Sequence, residues 1–136
     1  MLGMGCDRGT SLETLESAVN TALSSISIER RHIVGLATID KKNDEVGLVK
    51  FAEKHHWLMY FFSAEQLVKV EVPSPSEVVK KYMGTPSVSE AAAILAAAIF
   101  DAETDMRDLI LEKYKFRGAD NKNVTVSIVN MGCEDS

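Results

Sequence analysis

A nearly unbroken apolar run extends from His32 to Ile39, with charged residues on either side. A strand with one face in water alternates apolar and polar residues, whereas a strand covered on both faces is apolar throughout. Other β-rich runs, at Met1–Gly5 and Trp57–Phe62, alternate along the chain with segments of helical character. We therefore predict an α/β domain built on a mainly parallel sheet that is covered on both faces.

The predicted helices begin at capping boxes, in which a Ser or Thr and a Glu or Gln three residues later bond to backbone N–H groups. The segments with this spacing are Thr10–Glu13, Ser63–Gln66, Ser74–Glu77 and Ser87–Glu90. Apolar spacing predicts another helix from about Glu45 to Lys54. The last box precedes an alanine-rich helix, whose small side chains allow close packing against the sheet or against another helix.

Two alternating runs near the carboxyl terminus, Leu109–Phe116 and Val124–Val129, flank a turn-rich segment and predict a β-hairpin. At 136 residues the chain has the length of one domain, which can bury a core without disulfides or a structural metal. We place this single domain at residues 1–131 and expect a flexible tail at 132–136.

Charge, hydropathy and cysteine usage exclude several classes of protein. The 15 basic and 20 acidic residues give a net charge of −5, which argues against a binder of nucleic acid or of an anionic membrane. The longest apolar run, Ala91–Phe100, is ten residues long and falls well short of the ~20 that a membrane span needs. Cys6 and Cys133 form no C-x-x-C motif and no signal peptide is recognisable, so we expect a cytoplasmic protein.

The loops that leave the three parallel strands are predicted to meet at one edge of the sheet. In this class of fold, ligands bind at that edge, in the crevice where the strand order reverses. The loops are Gly5–Ser11, Thr38–Asp44 and Ser63–Gln66, and we place the functional site there. The polar groups that they bring to this edge are Cys6, Asp7, Arg8, Thr10, Ser11, Thr38, Asp40, Lys41, Lys42, Asp44 and Ser63.

The first loop has two interpretations. Its glycines allow the backbone to approach a ligand, the helix that follows presents free N–H groups, and Arg8 can hold a carboxylate or phosphate through two hydrogen bonds. The same residues are also compatible with a tight strand-to-helix turn and an exposed arginine. The spacing G-x-G-x-x-x-G is one residue too long for a dinucleotide fingerprint, and no P-loop lysine follows.

The second loop also has two interpretations. Asp40 can act as a general base, with Lys42 as a carboxylate anchor, or these charges can form a solvated turn before a helix. From the residues alone, the turn is favoured. Cys6 lies near a helix start beside Arg8, but none of the three histidines is in a predicted loop, so we assign Cys6 a structural role.

Five segments together resemble the carboxyl-terminal domain of CbiG, also called the CobE family, of cobalamin biosynthesis. They are Gly3–Thr10, Leu36–Glu45, Phe61–Leu67, Pro73–Val79 and Gly84–Ala92, and the likeness covers nearly the whole chain. The resemblance implies a three-layer α/β/α sandwich and a role in the corrin pathway. Full-length CbiG proteins are similar to, or are, cobalt-precorrin-5A hydrolases, which open the ring-A lactone and release a two-carbon fragment as acetaldehyde.

This resemblance predicts a protein that acts on or binds a cobalt-precorrin, as the carboxyl-terminal part of such a hydrolase. CbiG proteins carry further amino-terminal domains, so their activity is not carried over to this domain by itself. The alternative is a non-catalytic module that binds or carries a corrinoid intermediate, and a third interpretation is a nucleotide-binding half-domain. No cofactor is expected, and cobalt would arrive within the substrate.

For a corrin substrate, Asp40 is the first candidate for the base and Glu45 the second, and N–H groups of the glycine loop would stabilise an oxyanion. Arg8, Lys42 and the helix starts at Thr10 and Ser87 would anchor the carboxylates of the substrate. The full set of predicted substrate-binding residues is Gly5, Cys6, Arg8, Gly9, Thr10, Ser11, Thr38, Lys42, Ser63, Thr85 and Ser87.

We predict no metal site, because His55 and His56 are adjacent and would point apart on a helix. The expected partners are a cobalt-precorrin or precorrin, and either a separate protein of the CbiG amino-terminal type or another enzyme of the pathway. Nucleic acid and membranes are not expected partners. A homodimer would use either the alanine-rich helix or the edge of the hairpin.

Overall fold

The computed structural model describes residues 1–6, 9–40, 46–68, 88–104 and 106–130. Within these ranges the chain forms one five-stranded sheet with helices on both faces, so the predicted three-layer α/β/α arrangement is confirmed. No helix in the described ranges has the length and apolar character that a membrane span requires. The predicted tail at 132–136 lies outside the described residues.

The sheet has the order β3-β2-β1-β5-β4. Its strands are β1 (Leu2–Cys6), β2 (Gly35–Ile39), β3 (Leu58–Phe62), β4 (Leu109–Arg117) and β5 (Asn123–Val129). Strands β1, β2 and β3 are parallel, whereas β5 is antiparallel to both of its neighbours. The predicted hairpin is therefore confirmed, and its inner strand extends the sheet beside β1.

Two apolar layers cover the sheet. The helices are α1 (Leu12–Ser25), α2 (Val46–Lys54), α3 (Ala64–Val68) and α4 (Val88–Phe100), with short 3₁₀ turns at Arg30–His32 and Met106–Asp108. Helices α1 and α2 pack on one face around Leu2, Met4 and Phe51, and α4 packs on the other around Ala37 and Ile39. Strand β2 is buried at every residue, as its apolar composition predicts.

The beginning of the β2 run was predicted wrongly. The apolar sequence starts at His32, but Arg30–His32 forms a 3₁₀ turn and Val34 is 52% exposed. The strand starts at Gly35, where pairing with Leu58 of β3 begins. Apolar residues before that point have no neighbouring strand beside them, so hydrophobicity alone places the strand too early.

The capping boxes are partly confirmed. Ser63 and Gln66 form the predicted reciprocal pair, in which Ser63 N–H donates to Gln66 Oε1 and Gln66 N–H donates to Ser63 Oγ. Helix α1 is capped by Ser11 rather than by Thr10, because the Ser11 hydroxyl accepts the Thr14 N–H. The Ser74–Glu77 box lies outside the described residues, as does Ser87 of the Ser87–Glu90 box.

The alanine face of α4 packs against the sheet of its own chain. Ala91, Ala92, Ala93, Ala96 and Ala97 are all fully buried. These side chains therefore have no surface left to offer a partner, whereas Ile99 and Phe100 at the end of the helix are exposed. The homodimer itself stays a prediction.

Candidate functional site

The carboxyl ends of β1, β2 and β3 lie side by side. Ile39 pairs with Phe62, so Asp40 and Ser63 follow neighbouring strands at the same level. Thr38 is completely buried and its hydroxyl donates to the carbonyl of Met4 at 2.8 Å, which ties β2 to β1 near this edge. The structure thus brings Asp40 and Ser63 into one row with Cys6, the last residue of β1.

The strand order reverses beside β1. From β1 the chain continues to β2 and β3 on one side, and β5 and β4 occupy the other side. The reversal leaves a switch point between β1 and β5, where Cys6 pairs with Val124. In α/β sheets the crevice at such a point is the usual place for a ligand.

The β1–α1 loop packs tightly against α2. Gly9 adopts a φ of 78°, a left-handed conformation that suits a residue without a Cβ atom. Thr10 is buried, and its carbonyl oxygen lies only 2.5 Å from the position that a Cβ atom on Gly47 would occupy. Gly47 therefore allows α2 to lie directly against the loop, and the turn interpretation of Gly9 agrees with the structure.

Asp120, in the hairpin turn, lies at the amino terminus of α1. Its Oδ2 accepts the Ser11 N–H at 3.0 Å, and its Oδ1 accepts the Lys122 N–H at 3.1 Å. Gly118 brings the turn close, because a Cβ atom there would lie 2.3 Å from the hydroxyl oxygen of Thr14. A carboxylate of the chain itself thus binds an N–H group at the helix end for which the sequence suggested an external anion.

These contacts stabilise the ionised form of Asp120. The pKa of Asp120 is lowered from 3.8 to about 2, and the largest cause is the hydrogen bond from the Ser11 N–H. The Lys122 N–H and the side chains of Thr14 and Ser11 lower the pKa further, whereas burial raises it by a smaller amount. A carboxyl whose pKa is lower in the folded than in the unfolded state stabilises the fold at pH values above the pKa that it has in the unfolded chain. This stabilisation is lost as the pH falls through the pKa that it has in the folded protein.

We therefore expect Asp120→Asn to have a lower Tm than the wild type at pH 7, where the carboxylate is charged. The difference should shrink as pH falls from about 4 to about 2. Thermal melts over this range check the prediction, with Glu53→Gln, an exposed acid on α2, as the control. A difference that persists unchanged at pH 2 would contradict an electrostatic origin.

The other predicted site residues have varied surroundings. Asp40 is exposed, Gly5 and Cys6 are half-buried, and the Ser63 hydroxyl is used in capping α3. The Ser11 hydroxyl is likewise engaged at the start of α1. Five predicted site residues lie outside the described residues: Arg8, Lys42, Glu45, Thr85 and Ser87.

A cavity of about 320 Å³ lies on the hairpin, at residues outside the predicted site. Lys115 and Arg117 line it from β4, and Asn123 and Thr125 line it from β5. The sequence feature that could have indicated this cavity is the pair Lys115 and Arg117. These basic residues are two positions apart along the chain, so in a strand their side chains share one face. The register in which β4 pairs with β5 cannot be read from the sequence, so there was no reason to place that face near the carboxyl ends of β1, β2 and β3.

A second cavity, of about 280 Å³, lies at the opposite edge of the sheet, between the segments that lead into β2 and β3. There His55 stacks on Trp57 with ring centres 4.7 Å apart, and its Nε2 lies 3.2 Å from both carboxylate oxygens of Glu16. Within the described ranges no His, Cys, Asp and Glu side chains group as metal ligands would.

Comparison with known proteins gives consistent matches. Residues 1–129 match the family described as "Cobalamin synthesis G C-terminus". The chain is 33% identical over 127 residues to "Cobalt-precorrin-5A hydrolase" of Priestia megaterium, covering 93% of this chain and 31% of that protein. It is 27% identical over 99 residues to "Protein CobE" of a Sinorhizobium species, covering 71% of this chain and 64% of that one.

A crystal structure of CobE, a protein from the cobalamin pathway, superimposes with a TM-score of 0.77. The sequence identity is 30%, and the match covers 95% of this chain and 89% of that one. The chain spans about a third of the length of the hydrolase that it matches.

Proposed function

The chain belongs to the cobalamin synthesis G carboxyl-terminal family, and from this premise we propose that it binds a cobalt-precorrin and supplies the carboxyl-terminal part of a cobalt-precorrin-5A hydrolase. The role of the family in cobalamin biosynthesis follows from the match over residues 1–129. The substrate and the hydrolytic step are proposals, because the matched hydrolase is about three times as long as this chain.

The observation that carries the proposal is the position of Asp40 at the carboxyl edge of the parallel strands, one strand away from the switch point. Asp40 is exposed at the end of β2, between the ends of β1 and β3, and its strand is anchored by the buried Thr38 hydrogen bond. In α/β proteins, groups that act on a ligand lie at the carboxyl ends of the strands. Asp40 is an exposed carboxylate at such a strand end, and groups on strands are held more precisely than groups on loops.

Opening a lactone requires a base that takes a proton from water while the water oxygen adds to the lactone carbonyl. The carbon–oxygen bond of the ring then breaks, and the base returns its proton to the leaving alkoxide, giving a carboxylic acid and a hydroxyl group. We assign the base to Asp40. Ser11 and Ser63 act as positioning residues in this proposal, because their hydroxyls cap helices α1 and α3.

The test is to incubate the protein with cobalt-precorrin-5A and to measure acetaldehyde with a coupled alcohol dehydrogenase. A reaction supplemented with a separate protein of the CbiG amino-terminal type distinguishes a split enzyme from one that acts alone. We expect acetaldehyde in at least one of these reactions, and its absence from both would contradict a hydrolytic role.

A non-catalytic module is the second candidate, and the length of the chain favours it. The chain covers 31% of the matched hydrolase, so the rest of that protein can hold the catalytic groups. A carrier would show a spectral shift of the bound corrinoid but no product, with and without the amino-terminal protein. The same reactions, followed by absorbance, therefore separate the two candidates.

A further inference from the structure

The far strand of the hairpin ends at the same edge of the sheet as the predicted site. Because β5 is antiparallel to both β1 and β4, strand β4 runs in the direction of β1, β2 and β3. Its last residue, Arg117, therefore lies at the carboxyl edge, on the other side of the switch point from Asp40.

The basic residues of the hairpin share the face of the sheet that carries α4. Gly3 pairs with Ser127, whose hydroxyl lies 2.8 Å from that of Ser89 in α4. Side chains two residues apart share a face, so Thr125 and Asn123 continue this face toward the edge. Lys115 pairs with Thr125, and Arg117 pairs with Asn123.

The opposite face of the hairpin is part of the core. Val124 is 1% exposed within the layer beneath α1, and Phe116 packs against the same layer. The cavity of about 320 Å³ is lined by the four residues of the face that carries Lys115 and Arg117, and also by Phe116 and Val124.

Among the described residues, no acid pairs with the charges in this cavity. Lys115 and Arg117 are exposed, and no carboxylate of the described residues lies within ion-pair distance of their nitrogen atoms. Arg117 Nε donates to Asn121 Oδ1 at 3.2 Å, which orients the guanidinium from one side. Residues 113–123 hold four basic residues and one acid, so this segment is positive in a chain whose net charge is −5.

We propose that this hairpin cavity binds side-chain carboxylates of the corrin while the ring extends across the switch point toward Asp40. This inference rests on the proposed function and concerns the part of the site that binds the negatively charged carboxylates of the substrate. Three strand spacings separate β2 from β4, or about 14 Å, a width comparable to a tetrapyrrole with its carboxylate arms. Arg117 would take one carboxylate through two N–H donors, and Lys115 would take another as a point charge.

The experiment compares two corrins that differ in side-chain charge. Dicyanocobyrinic acid has free carboxylates, whereas dicyanocobinamide has its side chains amidated. Absorbance titrations measure the Kd of each for the wild type, for the double variant Lys115→Gln/Arg117→Gln, and for Lys50→Gln. Lys50 is an exposed lysine of α2, on the opposite side of the sheet, and serves as the matched control.

We expect the double variant to bind dicyanocobyrinic acid about 10- to 100-fold more weakly than the wild type, with an unchanged Tm. The Lys50→Gln variant should bind like the wild type, and the wild type should bind the amidated corrin less tightly. Equal binding of dicyanocobyrinic acid by the wild type and the double variant would overturn the hairpin proposal and leave the proposed function standing. A wild type that binds neither corrin would overturn the proposed function, and the hairpin proposal with it.

Discussion

Replacing Asp40 by asparagine is expected to lower the release of acetaldehyde from cobalt-precorrin-5A by at least about 100-fold. The amide has nearly the same shape as the carboxylate but cannot accept a proton from water. Asp40 is exposed at the end of β2, so the substitution creates no cavity and should leave the Tm within about 2 °C of the wild-type value.

The measurement needs a control that separates chemistry from binding. Glu65, an exposed acid in the first turn of α3, is the matched position, and Glu65→Gln should retain wild-type turnover. Both variants should bind dicyanocobyrinic acid within about twofold of the wild type, since one rim charge contributes little to affinity. Full turnover by Asp40→Asn would remove Asp40 as the base and leave Glu45 as the remaining candidate.

The sequence was informative where the physical signal is local. The buried run of β2 predicted a strand covered on both faces, and the pairing of Ser63 with Gln66 followed from their spacing. The carboxyl edge was also predictable, because parallel strands place the loops that follow them on one side. These features depend on periodicity and on the chemistry of neighbouring residues.

The rest of the site depends on contacts between distant parts of the chain. Asp120 binds the Ser11 N–H across 109 residues, and no pattern within the hairpin turn indicates that partner. The basic face of β4 reaches the site only because β5 inserts beside β1 in antiparallel orientation. Strand order is decided by packing of the whole sheet, so these residues could be recognised only once the register was known.

The role of the glycine-rich motif also changed. The sequence associated its glycines with a turn and a ligand, but Gly3 is the second residue of β1 and faces α4. A Cβ atom on Gly3 would lie 2.0 Å from the carbonyl oxygen of Ser89 and 2.8 Å from the Cβ of Ala93. At least this glycine therefore serves the packing of the fold rather than a ligand.

Gly3→Ala, which adds one methyl group, is accordingly expected to destabilise the fold strongly. The added carbon meets a backbone oxygen of α4, which cannot rotate away, so the helix must move from β1. We expect a loss of about 3 kcal/mol in the free energy of unfolding, near the upper end for overpacking, and a fall in Tm of about 10 °C.

Chemical denaturation and thermal melts measure this loss, and Ser17→Ala at an exposed position of α1 provides the control, with a change within about 0.5 kcal/mol. Adding Ala93→Gly to Gly3→Ala should restore little stability, because it relieves the 2.8 Å contact but not the contact with the Ser89 carbonyl. Substantial restoration by Ala93→Gly would show that the side chain of Ala93, rather than the backbone of α4, sets the distance between this helix and β1.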